Sequence, residues 1–172
     1  ASQQRSGDLI SRTWKPLHGT KKEGQVIAQI TNAKLLTQNQ ATALAIQKAE
    51  TPKVFHIASH AYYLPPDVDN IENPLLRSGI VLAGANNPED NEKDDGYLTA
   101  LEVTKLDLEG TEMVVISGCD SGKGDIRSGE GVYGLKRAFT VAGARSSLLS
   151  LWKVDDAATA AFMESFYRNL KD

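Results

Sequence analysis

Residues 112–124 read EMVVISGCDSGKG, an apolar run that leads into a loop of small residues around Cys119, the only cysteine of the chain. The continuous apolar run predicts a strand at 113–117 that is covered on both faces. A lone cysteine cannot form an intrachain disulfide, so packing, metal binding or reactivity must account for its position. Free cysteine often behaves as a small buried hydrophobe. The stretch therefore leaves two interpretations of Cys119, a packing residue or a nucleophile at the end of a strand.

The composition of the chain limits the classes of function. A length of 172 residues with 41% hydrophobic residues suits one domain with a sizeable core. A net charge of -3 gives no basic field for nucleic acid. No apolar run approaches the roughly 18 to 20 residues that span a bilayer. We therefore expect no nucleic-acid or membrane partner, and a reduced, cytoplasmic setting that suits a free thiol.

Apolar strand-like runs alternate with helix-like runs, which predicts an α/β domain with a mainly parallel sheet. Core strands are expected at 54–59, 113–117 and 146–152, and a weaker strand at 34–38. Helices are expected at 21–31, 41–50, 130–142 and 156–170, the third of them ending at Gly143. Residues 61–110 break this rhythm and are interpreted as an insertion within the single domain, with loops around one short strand, GIVLA (79–83).

Two of the predicted strands end in reactive side chains. His60 follows VFHIAS (54–59), and Cys119 follows MVVIS (113–117) after one glycine. If these strands are parallel neighbours, about 5 Å apart, their carboxyl ends bring imidazole and thiol close together. An imidazole beside a thiol favours the nucleophilic thiolate and can supply a proton to a leaving amine. The backbone amides of Cys119 and Ala61 are the candidates for an oxyanion hole, because small neighbouring residues leave the backbone accessible.

Other motifs near these residues point to a metal or a nucleotide, and each is weaker. His56 precedes His60 in HIASH, a spacing that would suit a metal in a helix, but in a strand His56 lies about 13 Å away along the chain. We interpret it as a hydrogen-bonded core histidine. SGCDSGKG (117–124) fails the P-loop pattern at its first and last positions, and GEGVYG (129–134) lies too far beyond its strand for a dinucleotide site. No metal and no cofactor is therefore predicted.

Three blocks resemble the CHAT family of caspase-like, separase-related proteins: FHIASHA (55–61), LTALEVTKLDLEGTEMVVISGCDSGKG (98–124) and GEGVYGLKRAFTVAGARSSLLSLWKVDDAAT (129–159). The resemblance implies a caspase-like three-layer αβα sandwich with a mainly parallel central sheet. It also implies a cysteine endopeptidase that cleaves a protein or peptide substrate through His60 and Cys119. The chain departs from caspase-like proteases at Ala61, where they usually have glycine. Relatives commonly carry tetratricopeptide repeats, which implies a repeat region as a regulatory partner.

Three carboxylates compete for the specificity pocket of such a peptidase. Asp120 lies beside the candidate nucleophile, and LWKVDD (151–156) resembles the separase segment in which an aspartate holds a basic P1 side chain. Asp156, with Asp155 second, is therefore the candidate that binds a P1 arginine or lysine. Capping of the following helix is the alternative role for this pair.

Two further alternatives stay open at the level of the sequence. A catalytically silent caspase-like module that binds a protein partner would have the same fold. Residues 1–172 are interpreted as a single CHAT domain, and the family has a core strand before PLHGT (16–20) and more sequence after FYRNL (166–170). A truncated fragment of a longer protein is thus an alternative to a complete domain.

Overall fold

A computed structural model describes residue 9 and residues 12–64, 73–87, 94–118, 130–150 and 155–171. The helices are α1 (His18–Thr31), α2 (Ala43–Gln47), α3 (Ala100–Val103), α4 (Glu130–Val141) and α5 (Asp156–Lys171). The strands are β1 (Val54–Ala58), β2 (Ala61–Tyr63), β3 (Ser78–Val81), β4 (Tyr97–Thr99), β5 (Met113–Ser117) and β6 (Ser147–Leu149). None of these described helices combines the length and apolar composition needed to cross a membrane.

Two sheets organise the chain. β1, β5 and β6 form a parallel sheet in that order, and β2, β3 and β4 form an antiparallel one. In the parallel sheet Ala58 pairs with Ser117, so β1 and β5 end side by side. The predicted core strands at 54–59 and 113–117 are confirmed, and the strand predicted at 146–152 lies next to the cysteine strand as β6.

Helices cover both faces of the parallel sheet. On one face Val115 packs with Ile27 of α1 and Met163 of α5. On the other face Val114 packs with Phe139 of α4. Because successive side chains of a strand point to opposite faces, a continuous apolar run is what a strand between two helical layers requires. The predicted α/β class with an αβα sandwich is confirmed.

Residues 61–110 contain more regular structure than the predicted loops around one strand. β3 lies where GIVLA was predicted, and β2 and β4 flank it. β2 and β4 have 3 residues each, which is too short for a two-residue period to show in the sequence. α3 begins at a capping box formed by Thr99 and Glu102, a pattern that TALE (99–102) carries. The interpretation of these residues as an insertion stays a prediction.

The strand predicted at 34–38 is wrong. In the described part of the chain no strand pairs with these residues, and the short 3-10 helix Gln38–Gln40 begins where the strand would end. Gln38 has a φ of 50°, which is incompatible with an extended strand. Leu35 packs over Gly24 of α1, so its apolar side chain is used against a helix and not in a sheet.

The predicted helices are confirmed, with one shorter than expected. The helix predicted at 41–50 is limited to α2, which begins at a Thr42 cap whose side chain accepts a hydrogen bond from the backbone of Ala45. The helix predicted at 130–142 ends at Gly143 as expected. Gly143 has a φ of 107°, and the N–H of Ala144 donates to the carbonyl oxygen of Phe139 at 3.0 Å. This is the wrapping hydrogen bond of a glycine C-cap.

Candidate active site

His60 is buried just beyond β1, at the carboxyl edge of the parallel sheet, and is 6% exposed. Its Nε2 lies 2.7 Å from the carbonyl oxygen of Lys15, and its ring packs against Trp14 with the centroids 5.2 Å apart. Because a carbonyl oxygen can only accept, Nε2 carries a proton in this arrangement. In the neutral imidazole the basic nitrogen is then Nδ1, and the carbonyl oxygen of Lys15 and the ring of Trp14 help to hold the ring orientation.

The segment that carries Lys15 is itself held by hydrogen bonds. The side chain of Asn86 accepts from the backbone N–H of Trp14 at 2.7 Å and donates to its carbonyl oxygen at 3.0 Å. The indole N–H of Trp14 donates to the hydroxyl of Tyr97 at 3.0 Å. Sequence reasoning missed these residues. A tryptophan in a polar stretch was the available signal, since so large an apolar side chain seldom stays exposed.

Cys119 and Asp120 lie outside the described residues, but the residue before Cys119 is described. Gly118 has a φ of 112°, and a β-carbon at this position would lie 2.8 Å from the carbonyl oxygen of Ser59. Both facts require glycine here. The residue that precedes Cys119 therefore lies against the residue that precedes His60.

The backbone of Ala61 points away from its partner strand. The N–H of Val81 donates to the carbonyl oxygen of His60 at 2.9 Å, and the N–H of Leu64 donates to that of Arg77 at 2.7 Å. Hydrogen-bonded pairs alternate along an antiparallel ladder, so Ala61 is in a non-hydrogen-bonded position. Among the described strands β2 pairs only with β3, so the amide of Ala61 points to the side of β2 away from β3.

A polar network lies inside the core formed by α1, α5 and the parallel sheet. We call it the Glu23 network; its members are Glu23, His56, Ser117 and Tyr167. His56 Nε2 lies 2.9 Å from Glu23 Oε1, and His56 Nδ1 lies 2.9 Å from the Tyr167 hydroxyl. The Ser117 hydroxyl donates a hydrogen bond to the same oxygen of Glu23. The prediction that His56 is a hydrogen-bonded core histidine is confirmed.

The side-chain periods of the strands and of α1 explain why the members of the Glu23 network lie together. His56 and Ser117 share a sheet face because His56 pairs with Val115, two residues before Ser117. Glu23 lies one turn before Ile27 on the buried face of α1 and is only 4% exposed. Burial, and secondly the charge of Glu23, raise the pKa of Tyr167 above that of an ordinary tyrosine. Sequence reasoning missed Glu23, whose signal was a charged residue on the apolar stripe of a helix.

The described residues form no candidate metal site. Over the described ranges, no group of three or more His, Cys, Asp or Glu side chains is placed to hold a metal ion.

The two aspartates of LWKVDD have different positions. Asp155 precedes α5, and its Oδ1 accepts from the backbone N–H groups of Ala157 at 3.0 Å and Ala158 at 2.9 Å. The capping alternative is thus observed for Asp155. Asp156 is the first residue of α5.

Comparisons with known proteins identify the family of this chain. The family model described as CHAT domain matches residues 1–172. The chain is 28% identical over 180 residues to tetratricopeptide repeat protein 28 of Homo sapiens, and 26% identical to the protein of the same name in Mus musculus. Each alignment covers 91% of this chain and 7% of the relative, so the chain spans a small part of these proteins. No solved structure gives a significant match. Because the family model covers the whole chain, the chain belongs to the CHAT domain family.

Proposed function

We propose that this CHAT domain is a cysteine endopeptidase that cleaves protein or peptide substrates through His60 and Cys119. The orientation of His60 carries the proposal, because its Nε2 is committed to the carbonyl oxygen of Lys15 at 2.7 Å. A histidine held in this way keeps one tautomer and presents a basic Nδ1. The contact of Gly118 with Ser59 supports the proposal, since it brings together the chain segments that lead to the two residues.

The reaction that fits these groups is acyl transfer to a thiol. His60 Nδ1 takes the proton of the Cys119 thiol, and the thiolate attacks the carbonyl carbon of the scissile peptide bond. The amides of Ala61 and Cys119 donate to the oxyanion of the tetrahedral intermediate. His60 returns the proton to the leaving amine as the C–N bond breaks. Water, deprotonated by His60, then attacks the acyl carbon, and cleavage of the C–S bond restores the thiol.

Asp156 is our proposed residue for binding a basic P1 side chain. β6 and β5 are parallel neighbours, so the segment after β6 leaves the sheet at the edge where β5 ends. Asp155 already accepts two backbone hydrogen bonds of α5, so it ranks second. Asp120, next to the nucleophile, is the third candidate.

A repeat region is the proposed regulatory partner. The relatives from Homo sapiens and Mus musculus are both named for tetratricopeptide repeats. We place the protein in the cytoplasm as part of this proposal, because a reducing compartment keeps a catalytic thiol in its active form.

A catalytically silent interaction module is the second candidate function. One observation favours it: α5 presents an exposed apolar stripe in which Phe162 is 57% and Leu170 is 53% exposed, with Phe166 stacked on Phe162. Exposed apolar patches of this kind are typical of protein contact surfaces. The names of the relatives describe repeats and no enzymatic activity.

The reactivity of Cys119 separates the two functions. We would label the wild type and His60→Ala with iodoacetamide across a pH series, using a simple thiol as the reference, and measure cleavage of a peptide library. A peptidase thiol should react faster than the reference and at lower pH, and His60→Ala should lose both this reactivity and cleavage. Cys119→Ala should abolish cleavage with near-native melting. A Cys119 thiol whose labelling midpoint lies near pH 8.5, and is the same in His60→Ala, would favour the silent module.

A further inference from the structure

We infer that Glu23 is a positioning residue of the proposed peptidase and acts through Ser117 on the strand end that carries Cys119. The inference rests on the proposed function and extends it to a helix that contributes no group to the reaction. Its basis is the Glu23 network, in which a single carboxylate oxygen holds both strands that lead to the catalytic residues.

One oxygen of Glu23 accepts from two strands. Ser117 is the last residue of β5, and its hydroxyl donates to Glu23 Oε1. His56, in β1, lies 2.9 Å from the same oxygen through its Nε2. The Ser117 hydroxyl and His56 Nε2 are 3.2 Å apart, so both groups converge on one acceptor. Ser117 is two residues before Cys119, and His56 is four residues before His60.

The surroundings of this carboxylate suggest a role in geometry more than in stability. Glu23 is 4% exposed and Ser117 is 1% exposed, within a core that also contains Val115 and Met163. Burying a charged group in an apolar core costs free energy that hydrogen bonds recover only in part. A buried polar network whose members are all bonded, however, selects one arrangement of the elements that it joins. Here the joined elements are α1 and the two strands of the proposed site.

Cys119 follows the end of β5 closely in the sequence. Gly118 is the only residue between Ser117 and Cys119, and it has the positive φ and the close approach to Ser59 described above. A displacement of Ser117 would therefore move the thiol and the amide of Cys119 relative to His60. A misplacement of about 1 Å in an active site can lower the rate roughly 100-fold. Loss of the Glu23 contact should thus affect the chemical step more than substrate binding.

Three variants test this role against a matched control. Glu23→Leu removes the acceptor at similar volume, Glu23→Gln keeps an acceptor oxygen without the charge, and Ser117→Ala removes only the hydroxyl that reaches Glu23. Thr111→Val is the control, because it removes a buried hydroxyl that donates to the carbonyl oxygen of Pro52 at 2.7 Å, outside the Glu23 network and at the end of β5 opposite Ser117. We would measure kcat and KM for peptide cleavage, the pH midpoint of iodoacetamide labelling of Cys119, and the melting temperature.

A positioning role predicts a specific pattern. Glu23→Leu and Ser117→Ala should lower kcat roughly 10- to 100-fold with KM changed less than about twofold, and should raise the pH midpoint of labelling. Glu23→Gln should recover most of the kcat lost in Glu23→Leu. Thr111→Val should lower the melting temperature while kcat and the labelling midpoint stay at the wild-type values. If Glu23→Leu does not fold, Ser117→Ala and Glu23→Gln carry the same comparison.

Two results would overturn the inference in distinguishable ways. Wild-type kcat and wild-type labelling in Ser117→Ala, with an activated thiol in the parent protein, would remove the positioning role and leave the peptidase proposal standing. An unactivated Cys119 in the wild type would remove the proposed function and the positioning role with it.

Discussion

Replacing His56 with alanine should destabilise this domain strongly, because His56 is the centre of the Glu23 network. The substitution removes one hydrogen bond of 2.9 Å to a buried carboxylate and another of 2.9 Å to the Tyr167 hydroxyl. These contribute about 1.5 to 3 kcal/mol and about 1 kcal/mol, and the space left by the imidazole adds about 1 kcal/mol. We expect His56→Ala to lower the free energy of unfolding by about 3.5 to 5 kcal/mol.

Urea unfolding followed by circular dichroism measures this loss, and a thermal melt provides an independent estimate. For a domain of this size the loss corresponds to a melting temperature lower by about 7 to 20 °C. Tyr167→Phe is the matched comparison, because it removes only the neutral hydrogen bond and should cost about 1 kcal/mol. A loss in His56→Ala no larger than that in Tyr167→Phe would refute the assignment of His56 as the centre of the network. Normal melting combined with lost cleavage would show that His56, and not His60, serves the chemistry.

The remaining predictions concern the site and its pH dependence. Asn86→Ala should lower the free energy of unfolding by about 1 to 3 kcal/mol and reduce kcat with little change in KM. The reason is that the segment that presents the Lys15 carbonyl to His60 loses two hydrogen bonds, and unchanged kinetics would contradict this link. Asp156→Asn should lower kcat/KM by roughly 2 to 5 kcal/mol for a P1 arginine and little for a P1 leucine, whereas a capping role predicts no change for either, since asparagine caps as well as aspartate. Because the pKa of Tyr167 is raised in the folded state, its contribution to stability is complete below its unfolded value of about 10 and declines at higher pH. Urea midpoints should therefore fall above about pH 10, and less steeply in Tyr167→Phe; equal slopes would refute the shift.

The local sequence determined the elements of the αβα sandwich. A continuous apolar run such as MVVIS (113–117) predicts a strand between two helical layers, and the spacing of apolar residues in 130–142 predicts an amphipathic helix that Gly143 ends. These patterns are local, because the apolar spacing and the glycine that ends the helix both involve residues that are close together in the chain. The same argument placed His56 correctly, because a histidine inside such a strand must find partners in the core.

Residues 34–38 show where local patterns fail. KLLTQ (34–38) has an apolar character that a strand could use, but a strand forms only where another strand supplies the hydrogen bonds of a ladder. The missing partner is a property of the whole fold. The short strands β2 and β4 were missed for the converse reason. Each is too short for a two-residue period to show in its sequence, but β3 supplies the hydrogen-bonding partner that makes it a strand.

Only the tertiary structure decided the surroundings of the two histidines. Lys15 is 45 residues from His60 along the chain, and Glu23 is 94 residues from Ser117. Contacts at such separations leave no periodic trace in the sequence, and the acceptor on Lys15 is a backbone carbonyl that any residue could supply. The sequence therefore determined that His60 and Cys119 each follow a strand, and the pairing of β1 with β5 in the structure decided that the two strands are neighbours. Folding alone determined which carbonyl orients its ring and which carboxylate holds the end of β5, because both depend on how α1 and the segment before it pack against the sheet.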